Sequence, residues 1–547
     1  MKKLIFISLT FLLLNTLSFG QSSDGIGLDQ QAITIKPVST DTESVDPAPL
    51  ADVITAESLK KHLAIIASDE FEGRETGTEG NEKAANYIAD QFKSFGLPAF
   101  NKGSYFQDVI LNWTKWEQAN IYIEGTRYKH LWDFVSFPNK NEEMIDFATD
   151  EVIFLGFGID DPKYSDYKKA DVKGKVILIY NGEPINKKGK SAITGTSTPS
   201  DWTNNPDKKL EIAKQKGVKA VLVIEEDIQR VLSESRRFLI SPQLTLGELS
   251  DDEINTANSL SIKTSIAKAI MGKKYKKVLK ARKKILKKGK SVPVVLPAKI
   301  VINLKKNQKT IRGVNVMGYI EGSDPKLKEE VVVISAHYDH LGKRGNDIFN
   351  GADDNGSGTS TVIEVARAFE EAKKQGNGPK RSVLALLVTG EEKGLLGSKY
   401  YAEKPVFPLE NTVADVNVDM VGRVDKKYAD NPDYIYVIGS DRLSTELHEI
   451  NEAVNSKYTN LILDYTYNED DDPNRYYYRS DHYSFAEKGI PAIFYFNGTH
   501  DDYHRPSDTI EKINFEKMAK IARLVFHTTW ELANRDKRIE VNVTGRN

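Results

Sequence analysis

The sequence predicts an α/β fold. Apolar runs that read as strands (Val331 to Ile334, buried throughout; Ser382 to Val388; the alternating Asp415 to Val418; Ala492 to Phe496) are set among helical patterns such as that from about Ser360 to Lys374. Histidines and carboxylates stand where these runs end. In open α/β sheets that edge is where ligands bind, so one pattern speaks to both fold and function.

Taken in order, Met1 to about Gly20 reads as a secretory signal peptide: Lys2 and Lys3, an apolar stretch from Leu4 to Leu14, then small and polar residues. That stretch is short for a membrane span, and no later segment is long and apolar enough to cross a bilayer. Export to the periplasm or the medium is therefore expected, with no membrane anchor. Residues 21–52, rich in Pro, Ser, Thr and Asp, read as a flexible leader. Residues 53–146 open the main domain. In them Ala84, Tyr87, Ile88, Phe92 and Phe95 recur at helical spacing, and Gly96 ends the helix. The preceding Glu72 to Gly80 is a glycine-rich loop.

Residues 147–301 read as an inserted smaller domain, with strands at Val152 to Phe157, Lys175 to Tyr180 and Ala220 to Ile224 and a short helix from Lys208 to Lys216. The lysine-rich Lys273 to Lys290 carries a thin apolar stripe and reads as a solvated helix face rather than a patch for an anionic surface. Residues 302–547 complete the main domain and hold every candidate ligand.

Composition narrows the choices. A length of 547 residues implies more than one domain. A formal net charge of -2 gives no argument for nucleic acid. The absence of cysteine excludes disulfides, thiolate ligands and a cysteine nucleophile. Oligomeric state is not legible.

The candidate site is assembled from five run ends. His337 follows the first strand, with Asp339 two residues on to accept its second ring N–H. Asp353 lies in the acidic turn Gly-Ala-Asp-Asp-Asn-Gly-Ser-Gly. Glu391 and Glu392 end the next run, and adjacent residues there point apart, so one can bind metal while the other handles a proton. Asp419 ends a further strand, and His504 follows the last. Two histidines with several carboxylates suit Zn, Co or Mn. They are too many for one tetrahedral ion and about right for two divalent ions sharing a carboxylate.

The ordered motifs His-x-Asp, Gly-Ala-Asp-Asp-x-Gly-Ser-Gly, Glu-Glu-x-Gly-Leu-x-Gly-Ser, Asp-Met-x-Gly and Tyr-His-x-Pro-x-Asp-Thr resemble the M28 metallopeptidases over roughly Ile54 to Phe106 and Arg312 to Ala533. The resemblance implies a zinc-exopeptidase fold, a mixed, mostly parallel sheet flanked by helices. It implies a secreted dizinc aminopeptidase acting on peptides with a free N-terminus. His337 and Asp419 would serve opposite metals, Asp353 would bridge them, Glu392 and His504 would complete the shells, and Glu391 would be the general base to a metal-activated water. The Asp353–Asp354 bond would be a cis peptide. His482 falls where that family places substrate-pocket residues, and Arg423 is available to a substrate carboxylate. The insert resembles a protease-associated (PA) domain, a lid or access module. A carboxypeptidase or a one-metal glutaminyl cyclase on the same scaffold, or an inactive binding protein, are the alternatives. His340 and His500 are left without a role.

Overall fold

The computed structural model describes residues 45–247 and 254–545. The signal peptide Met1 to Gly20 and most of the leader lie outside the described residues. The leader ends earlier than expected, because Ala48–Ala51 forms a helical turn that places Leu50 and Ala51 in the core.

The main sheet is built as predicted. Among the described residues it has fifteen strands; besides Thr126–Lys129 and Gln243–Leu246, which pair with the first, they are in chain order β1 Phe106–Ile123, β2 Phe134–Val135, β3 Met144–Phe154, β4 Val176–Tyr180, β5 Ala220–Glu225, β6 Asn258–Lys263, β7 Val294–Ile320, β8 Val331–His337, β9 Ser382–Val388, β10 Thr412–Val418, β11 Tyr434–Ile438, β12 Ile462–Asp464 and β13 Ala492–Phe496. They lie side by side as β12-β11-β13-β10-β8-β9-β7-β3-β4-β5-β6-β2, with β1 antiparallel to β7. The run β13-β10-β8-β9 is parallel throughout. Every residue of these four strands is buried. That is why β8, β9 and β13 read as nearly continuous apolar runs: both faces are covered, whereas β10 alternates and buries Asp415 and Asn417.

One face carries helices Ala56–Ile66, Glu79–Phe95, Gly358–Lys374 and Phe515–Asn534, whose apolar sides join the largest core. Thr78 caps the second of these by accepting from the Asn81 amide, and Gly96, at φ +94°, ends it. No helix among the described residues is long and apolar enough to cross a membrane.

A second hydrophobic core spans the residues expected to form the insert and reaches beyond them on both sides. Residue 147 falls inside β3, and the second core gathers residues from Ile121 to Leu304. The cause is the β1/β7 ribbon. Its paired residues run from Phe106/Val316 to Ile123/Ile300 and serve the main domain at one end and the insert at the other. The lysine-rich helix Tyr275–Lys288 buries Val278, Ala281 and Ile285 and turns its lysines outward, as its stripe predicted.

A buried ion-pair network ties three helices together. Glu364 accepts from Arg367 at 2.6 and 2.9 Å and from Ser58, and its Oε1 lies 3.0 Å from His62 Nε2. His62 in turn meets the Tyr87 hydroxyl at 2.8 Å. Burial opposes ionisation of Glu364, but hydrogen bonds from His62, Arg367 and Ser58 prevail and hold its carboxyl down to about 2. A depressed carboxyl stabilises the fold above its ordinary range, and that share is lost as pH falls toward 2. Glu364→Ala, which strands His62 and Arg367, is expected to cost about 3–5 kcal/mol in urea unfolding at neutral pH. A cost below about 1 kcal/mol would show the network to be dispensable.

Candidate metal centre

The site forms where parallel strands stop. After β8 the chain turns through Tyr338, Asp339 and His340, all fully buried. The buried Arg74 guanidinium fixes that turn, donating to the carbonyls of Tyr338 (2.8 Å), Asn350 (2.7 Å) and Gly351 (3.0 Å). Thr76 donates to Asp339 Oδ2 at 2.9 Å. Both residues come from the glycine-rich loop that the sequence marks only as a loop. After β9, Gly390 at φ +74° swings the chain into the single turn Glu391–Lys393, and the Glu391 amide donates to Asp339 Oδ1 at 3.1 Å. The turn Ala352–Ser357 is held by Asp508, whose carboxylate accepts from the amides of Asp353 (3.0 Å) and Asp354 (3.2 Å). Gly351 is required there: at φ +53° a Cβ would stand 2.5 Å from the His340 ring.

These turns bring two sets of ligand-type atoms together. His337, Glu391 and Asp419 form one, and His340, Asp354 and Glu392 the other, with the atoms of each set within 4.8 Å of one another. Asp354 faces both. Its Oδ1 lies 3.5 Å from His337 Nε2, and its Oδ2 lies 3.0 Å from His504 Nε2 and 3.8 Å from His340 Nδ1. His337 Nε2 is 3.5 Å from Asp419 Oδ1 and 3.8 Å from Glu391 Oε2. Glu392 Oε1 is 2.8 Å from His340 Nδ1 and 3.4 Å from His504 Nε2. The adjacent glutamates thus serve different sets, as their divergence at a strand exit requires.

Four carboxylates and three imidazoles in one buried space perturb one another. Burial alone would lower His337, but Glu391, Asp419 and Asp354 carry it well above the ordinary imidazole value. Burial, then Glu392, Asp419 and Asp481, push Glu391 well above the carboxylate range against the pull of His337. Burial likewise opposes protonation of His504, yet Glu392 and Asp354 raise it to about 9. Asp354 Oδ2 and both ring nitrogens of His340 are buried without a hydrogen bond of good geometry. The donor set fits a divalent cation, which would supply both positive charge and the missing contacts.

The structure departs from the sequence expectation at several residues. Asp353 does not face the cluster: its carboxylate accepts from the Gly422 amide (2.7 Å) and Asn497 Nδ2 (3.2 Å) and lies 3.2 Å from His500 Nε2. The shared position is that of Asp354, and the cis peptide is Asp354–Asn355. His337 and Asp419 stand on the same side, not on opposite ones. The nearest acceptor to His337 Nδ1 is the Asp339 carbonyl (3.1 Å), with the Asp339 carboxylate at 3.7 Å because it is engaged by Glu391 and Thr76. His482 is fully buried against Phe494 and Tyr477 rather than lining a pocket. Arg423 is bound to Asp502 at 2.8 Å and faces Asp508 at 3.7 Å. His340 joins the cluster, signalled only by its place three residues after His337.

A small cleft of about 40 Å³ opens on His337, Asp354, Glu391 and Asp419. Met420, Tyr476, Phe494 and Phe496 form its apolar wall, and Arg479 and Tyr503 its polar rim. A wider cleft of about 620 Å³ beside Thr55, Lys517 and Arg523 lies elsewhere. Neither metal-type group among the described residues falls in it.

An α/β sheet that gathers acids and imidazoles at the ends of its parallel strands defines a candidate metal centre. Comparison with known proteins gives a partial match: residues 315–529 match peptidase family M28. A probable leucine aminopeptidase of Trichophyton verrucosum (strain HKI 0517) is 33% identical over 216 residues, 38% of this chain and 56% of that one. A glutamate carboxypeptidase 2 homolog of Caenorhabditis briggsae is 24% identical over 472 residues, 77% of this chain and 58% of that one. The chain spans about half the length of the curated relatives it matches. BSAP, a zinc aminopeptidase from Bacillus subtilis, shares the fold at a TM-score of 0.50 and 19% identity, covering 89% of this chain and 98% of that one.

Because Asp354 and not Asp353 faces both sets, Asp354→Ala is expected to lose bound divalent metal while Asp353→Asn retains it, read by elemental analysis of desalted protein. Equal loss from Asp353→Asn would return the shared position to Asp353.

Proposed function

We propose that the chain is a zinc-dependent aminopeptidase. The observation that carries this reading is the Asp354 carboxylate, one oxygen toward His337 and the other toward His504. His337, Asp419 and Asp354 would hold one ion, and Asp354, Glu392 and His504 a second. Zinc bound there supplies Lewis acidity that polarises a peptide carbonyl and acidifies water. Glu391, at the edge of the cleft, takes a proton from the attacking water and returns it to the leaving amine as the C–N bond breaks. Asp339 fixes Glu391 through its main-chain amide. Met420, Phe494 and Phe496 suit an apolar side chain at the substrate's first residue, in keeping with the name borne by the Trichophyton relative. Export, from the lysine-led apolar stretch Met1 to Gly20, and a PA-like access role for the insert belong to the same reading.

A carboxypeptidase is the second reading. Arg479, on the cleft rim with its guanidinium 4.8 Å from the Tyr476 ring, could hold a substrate carboxylate, and the Caenorhabditis relative bears that name.

One peptide pool, half with free N-termini and half N-acetylated, separates the two when products are identified by mass spectrometry. Stepwise loss from free N-termini alone supports the aminopeptidase. Loss from C-termini moves the function to the second reading. Peptides beginning with Leu or Phe are expected to be cleaved at least about tenfold faster than those beginning with Asp or Glu, and an inverted order would sink the assignment of the apolar wall. Glu391→Gln is expected to keep metal and lose about a hundredfold or more in turnover; near-normal turnover would remove the base role.

A further inference from the structure

Behind Asp419 a buried file of polar side chains leads away from the cleft. Ser480 Oγ lies 2.7 Å from Asp419 Oδ2, and Asn417 lies 2.9 Å behind Ser480. Ser335 Oγ follows at 3.0 Å from the Asn417 amide, then Asp415 Oδ1 at 2.7 Å from Ser335. Asp415, Ser335, Asn417 and Ser480 are all fully buried. The contacts thus make four links between two carboxyl groups.

Each link needs one proton. Ser335 and Ser480 own one hydroxyl hydrogen each, and the Asn417 amide can donate toward only one of its two neighbours in the file. Three protons cannot fill four links, so the fourth must sit on Asp415 or on Asp419. Turning the Asn417 amide over moves the deficit from one end to the other without removing it. If Asp419 is an ionised metal ligand, the missing proton belongs to Asp415. This step rests on the metal reading proposed above.

We propose that Asp415 is a permanently neutral carboxylic acid. It heads a one-way file of hydrogen bonds, Asp415 to Ser335 to Asn417 to Ser480 to Asp419, that fixes the Asp419 carboxylate for metal. Asp415 is a positioning residue, since it touches neither cleft nor ligand. Its surroundings agree. Oδ2 has no hydrogen-bond partner, a heavy penalty for an ion and a light one for an acid. The titratable groups that act on it, Asp481 and Tyr401, bring no positive charge. Burial pushes the Asp415 carboxyl well above its ordinary range, with only the Ser335 hydrogen bond opposing.

The proposal separates an acid from an ion by substitution. Asp415→Asn keeps a donor toward Ser335, whereas Asp415→Leu keeps the bulk and removes it. Zinc affinity of the full chain, measured against a competing chelator, is expected to stay within about threefold in Asp415→Asn and to fall about 10–100-fold in Asp415→Leu. Infrared spectra of the zinc-loaded protein are expected to lose one carboxylic-acid carbonyl band in Asp415→Asn. Should Asp415→Leu not fold, Ser480→Ala breaks the last link alone and is expected to show the same loss of affinity. Asp415→Asn losing zinc as strongly as Asp415→Leu, or spectra without a missing acid band, would overturn the proposal. Wild-type protein that binds no zinc yet shows the acid band would instead remove the metal reading and leave the neutral acid standing.

Discussion

Mutual repulsion among Asp354, Glu391, Glu392 and Asp419 is the constraint around which the main domain is arranged. Carboxylates this close and this buried repel one another, and at Glu391 burial together with Glu392 and Asp419 pushes the carboxyl well above its ordinary range. They stay together because each is held by its own backbone turn: Gly390 aims the glutamates, Asp508 clasps the turn before Gly358–Lys374, and Arg74 pins the exit of β8. Those turns can be rigid because the strands feeding them are buried on both faces. A cation bound there would balance what the protein alone leaves unbalanced, and would link metal binding to folding.

Much of this was legible in the sequence, since strand exits are marked by chemistry: an apolar run can end in a histidine or an acid only where something compensates it. The four parallel strands and the helices at 79–95 and 358–374 follow directly from periodicity. The choice between Asp353 and Asp354 does not. Two adjacent acids in a glycine-bracketed turn look alike until backbone geometry decides which carboxylate accepts from Gly422 and which faces inward. Arg74 and Asp508 act from remote loops through main-chain groups, and no local pattern advertises that. His482 illustrates the opposite error, a residue in a suggestive motif that the fold sets against Phe494 beneath the cleft wall.

The polar file from Asp415 to Asp419 explains why β10 carries Asp415 and Asn417 in a run that otherwise reads as core. Alternation along a strand sends both side chains to one face, where Ser335 from β8 and Ser480 from the loop before the helix His482–Ala486 meet them. A strand can thus carry orientation from the middle of the sheet to its edge without any group moving.

The β1/β7 ribbon bears on how the insert can vary. An ordinary inserted domain hangs from two loops and can be lost or exchanged at little cost. Here β7, a single strand of 27 residues, borders β9 at one end and β3 at the other. Removing the residues between the two arms of that ribbon would leave β1 and β7 paired to each other but would uncover Leu111–Thr114 of β1, which Gln243–Leu246 now pairs, a short edge open to pairing with other chains. The loops about the second core are thus free to diversify, while its attachment is fixed by the strand that borders β9 beside the candidate metal centre.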